Sequence, residues 1–224
     1  MPKKDFSQIK SKQRVKENAE VFTSSREVNA MLDLVKGETE RIEARFLEPS
    51  CGTGNFLVEI LSRKLKIVSE KYSKNQSDWE RFSIVAISNI YGIEMLEDNV
   101  KECRGRLQMI FNEQYEKLYA KDSKDTLREV VKFLLSKNIV CGNTLTYETG
   151  DSNEPEIVFS EWVFNDILIK RSDFLFRHLV DWGSNNQSGK WSKKTDVSTG
   201  PIRTFKPIHY TEIHKQIYED EKPM

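Results

Sequence analysis

The stretch Phe46-Leu47-Glu48-Pro49-Ser50-Cys51-Gly52-Thr53-Gly54-Asn55-Phe56-Leu57 constrains this chain more than any other. Apolar residues run into an acidic residue and a proline. A Gly-x-Gly turn follows, and then an apolar pattern at helical spacing through Leu57, Ile60, Leu61, Leu65 and Val68. This order predicts a buried strand, a sharp loop and a helix starting near Asn55. Glycine at 52 and 54 lets backbone approach a ligand closely, because no Cβ intervenes. The first turn of the helix presents amide N–H groups that lack intrahelical partners. A dinucleotide fingerprint would want a third glycine where Leu57 stands, which disfavours that ligand.

Two further stretches repeat the arrangement of an apolar strand with a polar residue at its end. Asn89-Ile90-Tyr91-Gly92-Ile93-Glu94-Met95 reads as a short strand closed by Glu94, with a helix after it. An ionised carboxylate at such a strand end can accept two hydroxyl hydrogen bonds at once. Asn138-Ile139-Val140-Cys141-Gly142-Asn143 reads as a third strand ending in a Gly-Asn turn. Helices are predicted between them. One holds Trp79, Phe82, Ile84, Val85 and Ile87, a long one Val100, Cys103, Leu107, Ile110 and Phe111, and a third Leu127, Val130, Val131, Leu134 and Leu135. Ahead of the glycine turn, Ser24 or Ser25 can cap a helix with Val28, Met31, Leu32 and Val35 on its apolar face.

These stretches resemble the adenine-N6 DNA methyltransferases of restriction-modification systems, which use S-adenosylmethionine. The glycine turn matches their motif I, Asp-Pro-x-Cys-Gly-x-Gly-x-Phe, with Glu48 in place of the Asp. Phe22-Thr23 before a helix resembles motif X, with Ser24 where the family has Pro. The Glu94 stretch resembles motif II, and Gly142-Asn143-Thr144-Leu145 resembles motif III, with Asn143 for Asp. The resemblance implies an α/β fold with a Rossmann-like class I methyltransferase core. It implies that S-adenosylmethionine is bound by Thr23, Glu48, Ser50, Gly52, Gly54, Asn55, Phe56, Glu94, Met95 and Asn143. In that assignment Glu94 takes the ribose hydroxyls, Met95 flanks the adenine and Asn143 accepts from its amino group. The loop around Gly52 and Gly54, with the Thr23 region, holds the methionine end.

The family's catalytic tetrapeptide, Asn/Asp-Pro-Pro-aromatic, is missing from residues 146–224, where no two prolines adjoin. The chain therefore reads as a cofactor-binding half of the sheet with a divergent C-terminal extension. Its catalytic residues would come from a separate catalytic or specificity subunit, or from a homodimer partner. The alternative is an inactive methyltransferase-like module that acts through a partner. The domain organisation expected is a polar N-terminal arm over 1–20, a cofactor-binding domain over 21–145, and an extension over 146–224. Within the extension, residues 157–170 suggest a hairpin turning at Asn165-Asp166, and Ser172 suggests a cap for a helix over 174–180. The hairpin is one candidate to cover the otherwise open edge of the motif I strand.

Bulk properties add exclusions. The chain has 224 residues, enough for one α/β domain with appendages, and Lys+Arg equal Asp+Glu at 35 each. A DNA partner is thus implied by the resemblance and not by net charge. Cysteines at 51, 103 and 141 lack metal-ligand spacing and suggest a reduced, cytoplasmic setting. No apolar run is long enough for a membrane span, and the N-terminus lacks the apolar centre of a signal peptide. Trp162, Trp182 and Trp191 with Arg171, Arg177, Lys190, Lys193 and Lys194 have the chemistry to stack bases and meet phosphates. A hydrophobic core beside a solvated loop explains them more simply. His209 and His214 lack the spacing of a helical metal pair.

Overall fold

Short apolar strands alternating with long amphipathic helices build a parallel sheet. A computed structural model describes residues 9–18, 20–180 and 200–216. Its elements begin with α1 (Lys12–Asn18), α2 (Ser25–Asp33), α3 (Lys36–Thr39), β1 (Phe46–Glu48) and α4 (Asn55–Tyr72). Next come α5 (Gln76–Ser88), β2 (Ile90–Glu94), α6 (Glu97–Tyr119), α7 (Asp125–Asn138) and β3 (Ile139–Cys141). A second sheet follows from β4 (Val158–Asn165), β5 (Leu168–Leu175), β6 (Arg203–Thr204) and β7 (Ile208–His209). The first sheet has the order β1-β2-β3 and is parallel throughout. Phe46 pairs with Ile90, and Gly92 with Ile139. The chain is therefore mixed α/β, with a parallel three-stranded sheet and a second, antiparallel one.

The two faces of β2 meet different layers. Gly92 faces α4 and the glycine turn so closely that a Cβ there would come within 2.9 Å of Cys51 Sγ and Leu57 Cδ1. Tyr91 and Ile93 face the β4–β5 hairpin, where Tyr91 meets Phe159 edge-on at 5.4 Å. The Tyr91 hydroxyl also donates to the Ser160 carbonyl at 3.0 Å. Leu57, Ile60, Leu61, Leu65 and Val68 of α4 are all buried, as their spacing predicts. So are Leu127, Val130, Val131, Leu134 and Leu135 of α7. In the long helix α6, Val100, Cys103, Leu107 and Phe111 are buried.

Several expectations are corrected. In α2 the Ser24 side chain and Glu27 form a capping box, and Val28 and Leu32 are buried. Met31 and Val35, however, are exposed. The helix lays only a narrow stripe on its neighbours, and Val35 lies past its end at Asp33. The hairpin forms, with Asn165 opposite Leu168, but β5 continues through Leu175. Ser172 lies in the ladder opposite Glu161 and caps nothing, and helical residues begin only at 176. The alternation of buried Arg171 and Asp173 on β5 drives this extension. Asp173 accepts from the Ser160 hydroxyl at 2.7 Å and from Arg171 at 2.7 and 2.8 Å.

That pair also removes Arg171 and Trp162 from any nucleic-acid surface. The Arg171 guanidinium sits 4.4 Å from the centre of the Phe205 ring, and the buried Trp162 donates to Asn138 at 2.8 Å. Arg177 pairs with Glu156. Trp182, Trp191, Lys190, Lys193 and Lys194 lie outside the described residues. The hairpin covers a face of the parallel sheet and not the edge of β1. Among the described residues no strand pairs with that outer edge, where Leu47 is exposed and Arg45 meets Glu161 at 2.8 Å. No helix among the described residues is long and apolar enough to cross a membrane.

Candidate functional site

A cleft of about 500 Å³ opens where the carboxyl ends of β1, β2 and β3 meet the segment before α2. Thr23, Glu48, Ser50, Gly52, Asn55, Phe56, Glu94, Met95 and Asn143 all line it. Of the residues that the resemblance assigns to the cofactor, only Gly54 does not. It sits behind the loop as the N-cap of α4 with φ of 85°, and a Cβ there would fall 2.5 Å from Cys103 Sγ. No β-carbon fits that space, and the left-handed backbone also favours glycine. Gly52 has φ of 52° and lies against the ring of Phe22, 3.1 Å from where its Cβ would be. The bend is therefore shaped by the absence of two side chains.

Glu94 joins two of the strand ends. Its Oε2 accepts from the Gly52 amide at 2.9 Å, and its Oε1 accepts from the Leu96 amide at 2.9 Å. The side chain is nearly buried at the cleft wall. The loop is tied to β2 again by the Cys51 amide, which donates to the Ile93 carbonyl at 2.9 Å. Beyond β3, the Gly142 amide donates to the Glu94 carbonyl at 3.0 Å. Asn143 Oδ1 accepts from the Leu145 amide at 2.8 Å, an Asx turn that holds Thr144 and Leu145 at the rim. The Thr144 hydroxyl reaches across to the Pro49 carbonyl. Met95 is exposed at the mouth.

Burial pushes the Glu48 carboxyl above the usual carboxylate range. The Cys51 thiol is pushed far up by its hydrogen bond with Cys103, and then by burial. A thiol held neutral in this way is a poor nucleophile. The cleft thus combines carboxylates and carbonyls with apolar walls from Phe22, Phe56, Met95 and Leu145. Such a lining suits a ligand that carries hydroxyl donors, an aromatic ring and positive charge.

Sequence reasoning missed an outer wall and a brace. Glu20 and Asn99 line the cleft, both buried, and Asn99 Nδ2 donates to Glu20 Oε1 at 2.7 Å. Arg14 grips the same carboxylate at 2.6 and 2.7 Å and holds it well below the usual carboxylate range. Arg106 of α6 reaches the glycine turn from behind. The charged residues of the arm and the acidic first turn of α6 were visible in the sequence, but their pairing was not.

A family model for the MmeI DNA-methyltransferase domain matches residues 9–157. No curated protein and no solved structure matches the chain. The matched span contains the whole parallel sheet and every residue that lines the cleft, from Asn18 to Leu145. It ends just before β4, so the antiparallel sheet lies outside it. The match takes in well over half of the 224 residues, and on that basis the chain belongs to the MmeI DNA-methyltransferase domain family.

Proposed function

We propose that this chain is an S-adenosylmethionine-dependent DNA adenine-N6 methyltransferase, or the cofactor-binding part of one, with a Rossmann-like core over 21–145. The observation that carries the reading is the Glu94 carboxylate, buried in the cleft and bonded to the Gly52 amide. Each carboxylate oxygen offers about two acceptor sites. One site on each is filled by an amide N–H, which leaves one on each for the two ribose hydroxyls. Asn143 Oδ1 likewise keeps one lone pair beyond its bond to Leu145, enough to accept from an adenine amino group. Met95 flanks the ring. Gly52, Ser50, Asn55, Phe56 and Thr23 surround the methionine end, and Glu48 supplies a carboxylate close to its charge.

Bound in this cleft, the cofactor would supply a sulfonium methyl for in-line transfer to the exocyclic amino nitrogen, leaving S-adenosylhomocysteine and a proton. The contribution of this chain's residues is to hold and orient, which is where most of the acceleration in such a transfer arises. The residues that would bind the flipped base do not appear as the family's Pro-Pro tetrapeptide in residues 146–224. A separate catalytic or specificity subunit, or a second copy, would supply them. The outer edge of β1, with which no strand among the described residues pairs, favours completion of the sheet by another segment. The second reading, an inactive binding module, is favoured by the same missing tetrapeptide. In either case residues 1–20 form an arm and residues 146–224 an extension.

Calorimetry with S-adenosylmethionine is the first test. Glu94→Ala should weaken binding by roughly 1.5–3 kcal/mol, the scale of charge-assisted hydrogen bonds. Unchanged affinity would remove the ribose assignment. Methyl transfer to DNA by the purified chain alone would exclude the inactive module. Transfer only after a second polypeptide is added would establish a divided enzyme.

A further inference from the structure

Arg106 lies on α6 behind the glycine turn, outside the cleft lining. Its Nη1 donates to the Thr53 carbonyl at 2.6 Å, to Thr53 Oγ1 at 3.0 Å and to Asn55 Oδ1 at 2.8 Å. A guanidinium only donates, so it turns the Asn55 oxygen toward itself. The Asn55 amide nitrogen then points the other way and donates to the Thr23 carbonyl at 2.8 Å. One cation thereby sets Thr53, Asn55 and Thr23 relative to one another. Those residues belong to two separate segments, the glycine turn and the loop before α2. Glu94 and the Ile93 carbonyl hold the front of the turn through the Gly52 and Cys51 amides. At its back the N-cap is Gly54 and no side chain among the described residues caps α4, so Arg106 steadies Thr53 and Asn55 there.

We propose that Arg106 is a positioning residue for the methionine end of the cofactor, acting through Asn55 and Thr23. This rests on the cofactor reading above. It goes beyond it by assigning a selective role to a residue that does not touch the ligand. The adenosine end depends on Glu94 and Asn143, which Arg106 does not contact among its hydrogen bonds to Thr53 and Asn55. Loss of Arg106 should therefore weaken a ligand only in proportion to its use of the amino-acid arm. All three bonds leave one nitrogen, Nη1. A lysine ammonium also has three donors, but on a shorter stem and without the planar guanidinium that aims them, so Arg106→Lys should fall between wild type and Arg106→Met.

The experiment compares two ligands on three proteins. S-Adenosylhomocysteine carries the amino-acid arm, whereas 5′-methylthioadenosine keeps the adenosine and thioether without it. In Arg106→Met the first should bind about tenfold more weakly or worse, the scale of a lost charged hydrogen bond. The second should bind within about twofold of wild type. Hydrogen exchange of residues 51–56 without ligand should quicken in the same variant. Equal loss of both ligands, or no loss of either, overturns the proposal. If Arg106→Met does not fold, the same ratio is read from Arg106→Lys, where a selective loss supports the proposal and an equal loss or none overturns it. Wild-type protein that binds neither ligand would bring down the cofactor reading itself, and this proposal with it. Wild-type binding with unaffected variants would remove Arg106 alone.

Discussion

The two walls of the cleft are built on opposite principles. The inner wall, from Cys51 to Asn55 with Glu94, is fixed by exclusion: Gly54 and Gly92 stand where any β-carbon would collide with a buried sulfur. The outer wall is fixed by charge. Helix α1 buries none of its own residues, yet Lys10 and Arg14 hold it against α6. Lys10 meets Glu102 at 2.7 Å and Asn99 at 2.7 Å, and Arg14 bridges Glu20 and Asp98. Sterics in a packed interior do not respond to salt and the largely buried Arg14–Glu20 pair responds little, whereas the exposed pairs to Asp98 and Glu102 are screened. One cleft thus has a wall that keeps its shape and a wall that solution conditions can loosen.

The largest expected effect tests the inner wall. Gly54→Ala forces a left-handed backbone on an alanine and drives its Cβ into Cys103. Destabilisation of about 3 kcal/mol should follow, from backbone strain and overpacking together. Chemical denaturation reads it. Adding Cys103→Ala should recover the overpacking part and leave the backbone part, and the loss should be the same in low and high salt. A cost below about 1 kcal/mol would mean that the turn relaxes freely, and the contrast between the walls would fail.

A second effect gives the inner side a pH signature. Lys64 of α4 is buried beneath β1, where it donates to the Ile42 carbonyl at 3.1 Å and to that of Ala44. Burial lowers its ammonium from the ordinary 10.5 to about 7. Between those values the unfolded chain binds more protons than the folded one, so stability rises with pH across that window. From pH 7.5 to 9 the gain should be about 2 kcal/mol, since one unit of pH is worth at most about 1.4 kcal/mol per proton. Denaturation curves at a series of pH values measure it. Lys64→Met should flatten the slope in this window, and a slope that survives would assign the titration elsewhere.

The inner wall was legible in the sequence and the outer wall was not, for a physical reason. A strand, a Gly-x-Gly turn and a helix are local, and each residue type in Phe46–Leu57 carries its own conformational meaning. Glu94 and Asn143 could be found because strand ends in a parallel sheet converge on one edge. The clasp ties Arg14 to Asp98, 84 residues away in sequence, and any charged arm has the same composition whether or not it docks. Arg106 was hidden for a similar reason, since a helical arginine gives no sign of which carbonyl it will reach. The extension of β5 through Leu175 was missed because Phe174, Leu175 and Phe176 suit a helix equally well. The buried Arg171 and Asp173 decided in favour of the strand. Met31 and Val35 failed as core positions because helical spacing gives a direction and not the width of the neighbour it meets.

The smallest effect tests the outer wall. Asp98 is about half exposed, so Asp98→Asn should cost less than about 1 kcal/mol of global stability. Its consequence should be local. Arg14 would keep Glu20 but lose its bridge to α6, and hydrogen exchange over residues 12–18 should quicken while α4 is unaffected. In wild type the same quickening should appear as sodium chloride is raised towards 1 M, where screening shortens the reach of a charge to about 3 Å. At that salt, Asp98→Asn and wild type should exchange alike, because the interaction that distinguishes them has been screened away. If the arm exchanges slowly in both proteins at every salt concentration, contacts other than charge hold it, and the two walls obey the same physics after all.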